Sequence, residues 1–447
     1  MSFANRFERL FKSVLPTPFT IAVLLTLLTF ILALFITEPK TEGNYVLQLL
    51  QFWEQGIWHS PLLVFAMQMM LMLVIGHTLA LSKPISNLIS KGTKYCTNTA
   101  NAAAIITFFT LIVAFFNWGL GLIFGAIFAR KVGEHASERG IRLNYPLIGA
   151  AGYCGLMIWH GGLSGSAPIK IAEEGHFLVD KIGVISQAET VFSIMNISIS
   201  IVLLIVLPLL MYYLGKRNTG TILKLKSNKE KKNIEVSGAE KIDHSKIIAW
   251  FFGGLILSYA FYKAFILPET ISLKVINPNY INFVLLGLAI VMHKSFFNFL
   301  KGVDSAISGS SGILIQFPLY FGIMGIMNQS GMVQIMSDFF VDISNETTFP
   351  IFTFISAGIV NVFVPSGGGQ WAVQGPIIVD AATQLAVNIP KSVMALAYGD
   401  QLTNMLQPFW ALPLLGITGL KAKEILPYTL ILLLAGMVIF IGGLLVF

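Results

Sequence analysis

The chain has 447 residues, of which 55% are apolar and only 11% charged, with a net charge of +7, whereas an average soluble domain carries about 25% charged residues. That composition excludes a soluble globular protein, and the lack of short segments of alternating polarity excludes a β-barrel. Mean hydropathy is +0.75, and charge-free runs of about 20 residues recur, the length a helix needs to cross the hydrocarbon core. An all-α integral membrane protein is therefore expected. Its two cysteines, Cys96 and Cys154, suit neither a disulfide framework nor a metal site and read as small apolar fillers.

Taken in chain order, Arg6, Arg9 and Lys12 precede an apolar run from Pro16 to Ile36. The run is too long for a signal peptide and many spans follow it, so it reads as an uncleaved first membrane helix. Further apolar segments are predicted at about 60–81, 102–129, 143–169, 191–214, 247–267, 281–300, 308–329, 349–379, 391–420 and 425–447. Lys and Arg accumulate in cytoplasmic loops, which places Lys83, Lys91 and Lys94 on the side of the basic N-terminus, together with Arg130, Lys131, Arg139 and Arg142. Residues 102–129 then enter and leave from one side, turning at Asn117–Gly121. The arms on either side, about 15 and 9 residues, are too short for two crossings at about 1.5 Å per residue. A re-entrant hairpin is expected there, in preference to one long tilted helix.

Segment 143–169 then crosses outward and 191–214 returns to a linker, 215–246, with nine Lys or Arg against four acids. Lying between membrane helices, it reads as a flexible cytoplasmic topology anchor and not as a nucleic-acid site. Residues 247–267 form a linking membrane helix that crosses outward, 281–300 crosses inward and 308–329 outward, which leaves Asp338, Asp342 and Glu346 external. Segment 349–379 has a glycine-rich middle, Pro365–Gln370, and 391–420 is interrupted by polar residues. The N-terminus is thus expected in the cytoplasm and the C-terminus outside.

The halves 1–214 and 281–447 show the same order of elements in opposite orientation, each with a re-entrant hairpin and a broken helix. Ile105–Thr110 resembles Ile351–Ser356, and Tyr153 and Tyr398 sit similarly, at offsets of 246 and 245 residues. Inverted repeats of this kind are characteristic of secondary transporters.

Non-helical backbone at membrane depth is tolerated only where it is buried in protein or lines a cavity, so both hairpin tips point at a site. At Ser366, Gly367, Gly368, Gly369 and Gln370 the glycines permit positive φ and close backbone approach. A helix beginning near Trp371 would turn its free N–H groups toward the tip and attract a carboxylate. The alternative is a tight packing corner. The broken helices run from Gly152–Gly155 to His160–Ser166 and from Tyr398–Gln401 to Thr403, Asn404, Gln407 and Pro408, where weakened helix frees carbonyls for a cation or a substrate. Asp400 is the one acid deep in an apolar span, a costly position that marks it as ligand or proton relay. His160 is a weaker candidate, while His77 and His293 lie near segment ends and Gln68 and Gln316 suit packing hydrogen bonds as well as gates. The chain has no G-x-S-x-G, P-loop, HExxH or dinucleotide fingerprint, so neither an enzyme nor ATP drive is indicated.

Four stretches, Asn117–Gly125, His160–Pro168, Val364–Pro376 and Tyr398–Trp410, closely resemble the bacterial short-chain fatty acid transporter family, and the resemblance covers nearly the whole chain. It implies uptake of short monocarboxylates such as butyrate or acetoacetate across the inner membrane. It also implies kinship with the larger ion-transporter superfamily, whose members commonly work as homodimers by an elevator motion. The dicarboxylate carriers of that superfamily have Ser-Asn-Thr at the tips, where this chain has Asn117-Trp-Gly and Ser366-Gly-Gly.

The resulting expectation is a cation-coupled secondary transporter with substrate between the tips. Its carboxylate would be held around Asn117, Gly119, His160, Ser164, Ser366, Gly367, Gly368, Gln370 and Asn404, and its tail against Trp118, Trp159 or Trp371. Asp400, Thr403 and Asn404 would serve the coupling cation, H+ or Na+, with no other cofactor. No Arg or Lys is expected deep in the spans. A carrier of dicarboxylates or other organic anions, a passive anion channel and an intramembrane hydrolase using His160 and Asp400 are the competing readings.

Overall fold

The computed structural model describes residues 16–39, 42–217, 220–222, 225, 238–268, 272–364 and 366–447. Arg6, Arg9 and Lys12, most of the basic linker and Pro365 of the second tip lie outside the described residues. Within them, seven helices are long and apolar enough to cross a membrane. The first half builds α1 (Pro18–Ile36), α2 (Tyr45–Ile57), α3 (Ser60–Ala80), α4 (Lys83–Gly92), α5 (Thr99–Phe116), α6 (Trp118–Arg139), α7 (Tyr145–Tyr153) and α8 (Ile194–Arg217). Helix α9 (Lys246–Phe265) connects it to α10 (Pro278–His293), α11 (Phe296–Ala306), α12 (Ser311–Ser330), α13 (Met332–Ile343), α14 (Phe349–Phe363), α15 (Gly367–Gln384), α16 (Ile389–Thr403), α17 (Pro408–Thr418) and α18 (Ala422–Val446).

Boundaries follow short polar signals within apolar sequence. Asn98, Asn117, Asn144, Asn277, Ser295, Ser366 and Asn388 each cap a helix, with the side-chain oxygen accepting a first-turn N–H, the usual role of these residues. Gly140, Gly331 and Gly419 end α6, α12 and α17 in the left-handed region, where a Cβ would be strained.

Helices α5 and α6 fold into a hairpin about Asn117, which is extended at φ −154° and ψ 124°. A Cβ on Gly121 would lie 2.5 Å from Ala114 Cα and one on Gly125 2.9 Å from Thr110 Cγ2, so the arms run antiparallel at a separation that only glycine allows. The arms are 18 and 22 residues long, longer than expected. The basic cluster does not end the second arm: Arg130 pairs with Glu134 at 2.8 Å, Lys131 Nζ donates to Ser86 O at 2.7 Å, and the helix continues to Gly140. The length argument for a re-entrant hairpin therefore fails here, although the hairpin itself forms. The second hairpin, α14–α15, is clasped by Gln370 Nε2 donating to Ala357 O at 2.9 Å.

Helix α7 breaks after Tyr153 into two 3-10 turns, Cys154–Met157 and Trp159–Gly161, followed by a short helical turn, Ser166–Lys170. Helix α16 breaks at Asn404–Leu406 and resumes as α17. Both halves thus run through a long helix (α3, α12), an amphipathic one (α4, α13), a hairpin (α5–α6, α14–α15), a broken helix (α7, α16–α17) and a closing long helix (α8, α18). The packing repeats as well, with α3 on α6 as α12 is on α15, and α5 on α7 as α14 is on α16. The halves interlock where α17 packs on α6 and α15 packs on Ser166–Lys170.

Other parts of the sequence reading need correction. Segment 281–300 is not one span: α10 stops at His293, Lys294 turns at φ 64°, and Ser295 caps a separate amphipathic α11. Helix α2 was not expected, yet a Cβ on its Gly56 would lie 2.5 Å from Phe321 O and 2.9 Å from Gly325 Cα of α12. Of the linker expected to be flexible, Thr221–Ile222 pair antiparallel with Arg142–Leu143 and Leu225 N donates to Ser137 Oγ at 3.0 Å.

Candidate functional site

The two helix breaks meet in the interior and hold each other. Tyr153 Oη donates to Asn404 O at 2.8 Å and to Gln407 O at 3.1 Å, and Gln401 Oε1 accepts from the N–H groups of His160 and Gly161 at 2.9 and 3.3 Å. Tyr398 Oη donates to Asn196 Oδ1 at 2.9 Å, and Asn196 Nδ2 in turn donates to Gly161 O at 2.8 Å. Backbone groups released by broken helix are costly to bury unpaired, so these side chains are what makes the breaks tolerable. The carbonyls expected to be free for a ligand are thus partly committed within the protein.

At the centre His160 Nδ1 lies 2.5 Å from Asp400 Oδ2, both side chains being buried. Ala167 N–H donates to His160 Nε2 at 3.1 Å, so Nε2 carries a lone pair and the ring proton sits on Nδ1, directed at the carboxylate. Histidine is thereby neutral while it orients Asp400. The other carboxylate oxygen, Oδ1, is buried without a partner, as are Asn361 Oδ1 and Gln407 Oε1. Asn361 braces this corner, the two hydrogens of its Nδ2 shared among Asp400 O at 2.6 Å, Thr403 Oγ1 at 2.9 Å and Asn404 Oδ1 at 3.0 Å. No group of three or more His, Cys, Asp or Glu suited to a metal ion exists among the described residues.

The start of α15 abuts this pair. Ser366 is its cap, with Oγ accepting Gly369 N–H at 3.3 Å, so the helix begins at Gly367 and not near Trp371. The glycines are not at positive φ; they are there because nothing larger fits. A Cβ on Gly367 would lie 2.7 Å from Trp159 Cη2 and 2.8 Å from His160 Cε1, and one on Gly368 2.9 Å from Phe317 Cε2. The first N–H groups of a helix have no intrahelical partner and favour an anion. Beside them is a narrow cavity of about 20 Å³, walled by Trp118, Trp159, Trp410, Phe317 and other apolar side chains, with Ser166, Ser366, Gly367, Gly368 and Asn404 as its polar border.

Among the residues expected to bind substrate, Trp118, Ser366, Gly367, Gly368 and Asn404 border this cavity, and His160 and Asp400 sit behind Gly367. The others hold the frame. Asn117 Oδ1 accepts Leu120 N–H at 2.7 Å as a cap, Ser164 Oγ accepts Trp118 N–H at 2.9 Å, and Gly119 lets the tip approach Leu73 of α3. Gln370 spends its Nε2 on Ala357 O and Gln374 Oε1, and Thr403 Oγ1 accepts from Asn361. Trp371 lies in a separate core cluster, against Phe177.

Sequence reasoning missed Trp410, Phe317 and Asn361. It also missed a buried cation: Lys170, 1% exposed, pairs with Glu173 at 2.5 Å and lies 5.3 Å from the Phe65 ring centroid. Gln68 completes that group, donating to Glu173 Oε1 at 2.6 Å. Its position at the end of an apolar segment, three residues before a glutamate, was the available signal.

A family model described as short chain fatty acid transporter matches residues 2–447. The chain belongs to this family. A relative from Escherichia coli (strain K12), named for short-chain fatty acid transport, is 36% identical over 440 residues, covering 97% of this chain and 96% of its own. One from Haemophilus influenzae is 35% identical over 459 residues, covering 99% of each. The family is one of transporters, not enzymes. The fold is similar to the YdaH transporter of Alcanivorax borkumensis, with TM-score 0.60, 13% identity and coverage of 96% of this chain and 98% of that one. It is also similar to MtrF of Neisseria gonorrhoeae, with TM-score 0.58, 15% identity and coverage of 98% and 97%. The chain is thus a multi-pass membrane transporter, as the composition indicated.

Proposed function

We propose that this family member is a secondary active transporter that moves short monocarboxylates of the butyrate and acetoacetate type across the bacterial inner membrane, driven by a cation gradient. The observation that carries the reading is the juxtaposition of a small aromatic cavity, the glycine start of α15 and the buried His160–Asp400 pair. The carboxylate sits at Ser366, Gly367 and Gly368, where a helix start supplies donors, with Asn404 beside it and the short tail against Trp118, Trp159 and Trp410. Among the described residues no Lys or Arg borders the cavity, which favours a monocarboxylate over a dicarboxylate.

Charge balance supplies the coupling. With His160 neutral, ionised Asp400 and a substrate carboxylate are two negative charges in a low-dielectric site, an arrangement that one cation relieves. A proton would sit on Asp400 Oδ1; a sodium ion, which takes oxygen donors, would draw on that atom and on Asn361 Oδ1 and Gln407 Oε1, two further buried oxygens without a partner on the neighbouring hairpin and helix break. The repeated order of elements supports two inverted repeats with hairpins entering from opposite sides, the family resemblance an elevator motion and a homodimer in the bilayer, and the distribution of Lys and Arg a cytoplasmic N-terminus and an external C-terminus.

Uptake of labelled butyrate into proteoliposomes, with sodium and proton gradients imposed separately, tests the reading. Accumulation above the external concentration is expected with one gradient only. Flux indifferent to both gradients identifies a passive channel.

A further inference from the structure

Lys170 has no part in the site described so far, although it lies close behind it. It ends the turn Ser166–Lys170, and Ser166, four residues earlier on the same face, borders the cavity. Its ammonium has three hydrogens to place, and among the described residues two oxygens accept them, Glu173 Oε2 at 2.5 Å and Gln68 Oε1 at 3.4 Å. The Phe65 ring centroid is 5.3 Å from it, and a Cβ on Gly368 would lie 3.1 Å from Phe65 Cε1. One ring of α3 thus touches both the buried cation and the place assigned to the substrate carboxylate. Toward solvent the order is equally short. The Glu173 side chain is 14% exposed, its Oε1 accepts from Gln68 Nε2 at 2.6 Å and from Asn279 Nδ2 at 3.1 Å, and Asn279 at the start of α10 is exposed. Burying an ion pair costs desolvation that its attraction often fails to repay, and an apolar pair of similar volume is commonly as stable. Stability alone therefore gives no reason for a lysine here.

We infer that Lys170 is a recruitment site for the substrate carboxylate, and that Glu173 is the protein's own carboxylate, holding that site until substrate displaces it. The inference rests on the transport reading above and deepens it by adding a second position on the path. The group that Lys170 binds is the group that the substrate carries, so exchange conserves charge and hydrogen bonding at the ammonium. Glu173 is not left unpaired on release, because Gln68 and Asn279 both donate to its other oxygen. Between Lys170 and Ser366–Gly368 the acid then passes Phe65, Met69 and Ser166; the last two border the cavity, where Ser166 Oγ donates to Met69 Sδ at 3.6 Å. A lysine one layer outside the cavity selects anions on entry without trapping them at the transport site, since passage needs binding strong enough to enter and weak enough to leave. On the sidedness proposed above, segment 143–169 crosses outward and Lys170 stands at its external end, where uptake begins.

The test is the initial rate of labelled butyrate uptake into right-side-out bacterial membrane vesicles carrying the full chain, as a function of external butyrate, with vesicles lacking it as the blank. Lys170→Gln should raise KM by about tenfold or more, the scale of one hydrogen bond to a charged group, with Vmax within about twofold of wild type. Glu173→Gln removes the competing charge while its amide oxygen still accepts from Lys170. An internal competitor lowers apparent affinity by the fraction of time that it holds the site, so KM should fall in this variant, by about threefold or more. The double variant should match Lys170→Gln. A loosened protein loses rate and does not gain affinity, so the fall in KM keeps the inference testable even if Lys170→Gln fails to fold. If both single variants raise KM, or lower Vmax with KM unchanged, the inference is overturned and the pair is a strut joining α3 and α10 to the first broken helix. Wild-type kinetics in both variants overturn it as well. Wild-type vesicles that take up butyrate no faster than the blank refute the transport reading itself.

Discussion

Asp400 and Gly368 test different parts of the site. Asp400→Asn keeps the shape and a hydrogen-bond acceptor for His160 Nδ1 but removes the charge, so gradient-driven accumulation in proteoliposomes should be abolished while yield and monodispersity stay at wild-type level. Accumulation at the wild-type rate would make Asp400 structural. At the α15 start, Gly368→Ala places a methyl group 2.9 Å from the Phe317 ring and 3.1 Å from Phe65, at the cavity edge where the carboxylate belongs. Butyrate affinity should fall by about tenfold or more. Gln370→Ala should instead cost stability, because its amide clasps the two arms of the hairpin through Ala357 O; titration and thermal melting of both variants separate the roles. If Gln370→Ala weakens binding more than Gly368→Ala, a side chain and not the backbone holds the substrate.

The hairpins and breaks are stable only as a set. Each broken helix relies on the other for part of its released backbone: Tyr153 of the first serves Asn404 and Gln407 of the second, and Gln401 of the second serves His160 and Gly161 of the first. Asn361 joins the second hairpin to the second break by three contacts from one amide nitrogen. Asn361→Ala should therefore destabilise the protein by about 1–3 kcal/mol, the cost of leaving buried acceptors unpaired, read as an earlier thermal inactivation midpoint in detergent. An unchanged midpoint would show that water replaces the amide. The first hairpin was legible because the basic clusters on both sides of 102–129 called for a turn within it, and Asn117–Gly121 is the polar, glycine-containing stretch where the apolar run can turn. Its arm lengths were not, because Arg130 and Lys131 looked like a helix end and are in fact pinned sideways by Glu134 and Ser86.

For the whole molecule, the repeated order of elements makes a prediction about sidedness. Single cysteines introduced at the exposed positions Arg139 and Asn345, in a background lacking the buried Cys96 and Cys154, should be labelled by an impermeant reagent from the cytoplasmic and external sides respectively. Labelling of both from one side would defeat the inverted arrangement. The same experiment decides whether the hairpins, whose first arm α5 is long enough to cross a membrane, enter from opposite sides.

Composition, hydropathy, the distribution of Lys and Arg and the glycine- and proline-interrupted stretches are local quantities, and they were enough to indicate a helical membrane protein with two hairpins and two interrupted helices. Long motifs gave the family, because a run such as Tyr398–Trp410 constrains many positions at once. Tertiary structure decided which polar residues face one another: that Asp400 meets His160 across 240 positions of sequence, that Trp410 and Phe317 wall the cavity, and that Gln370 and Ser164 hold the frame. It also revealed Lys170, whose buried charge is tolerable only because Glu173, Gln68 and Phe65 surround it. Such pairings come from the packing of distant segments, and a single sequence records the partners without recording that they meet.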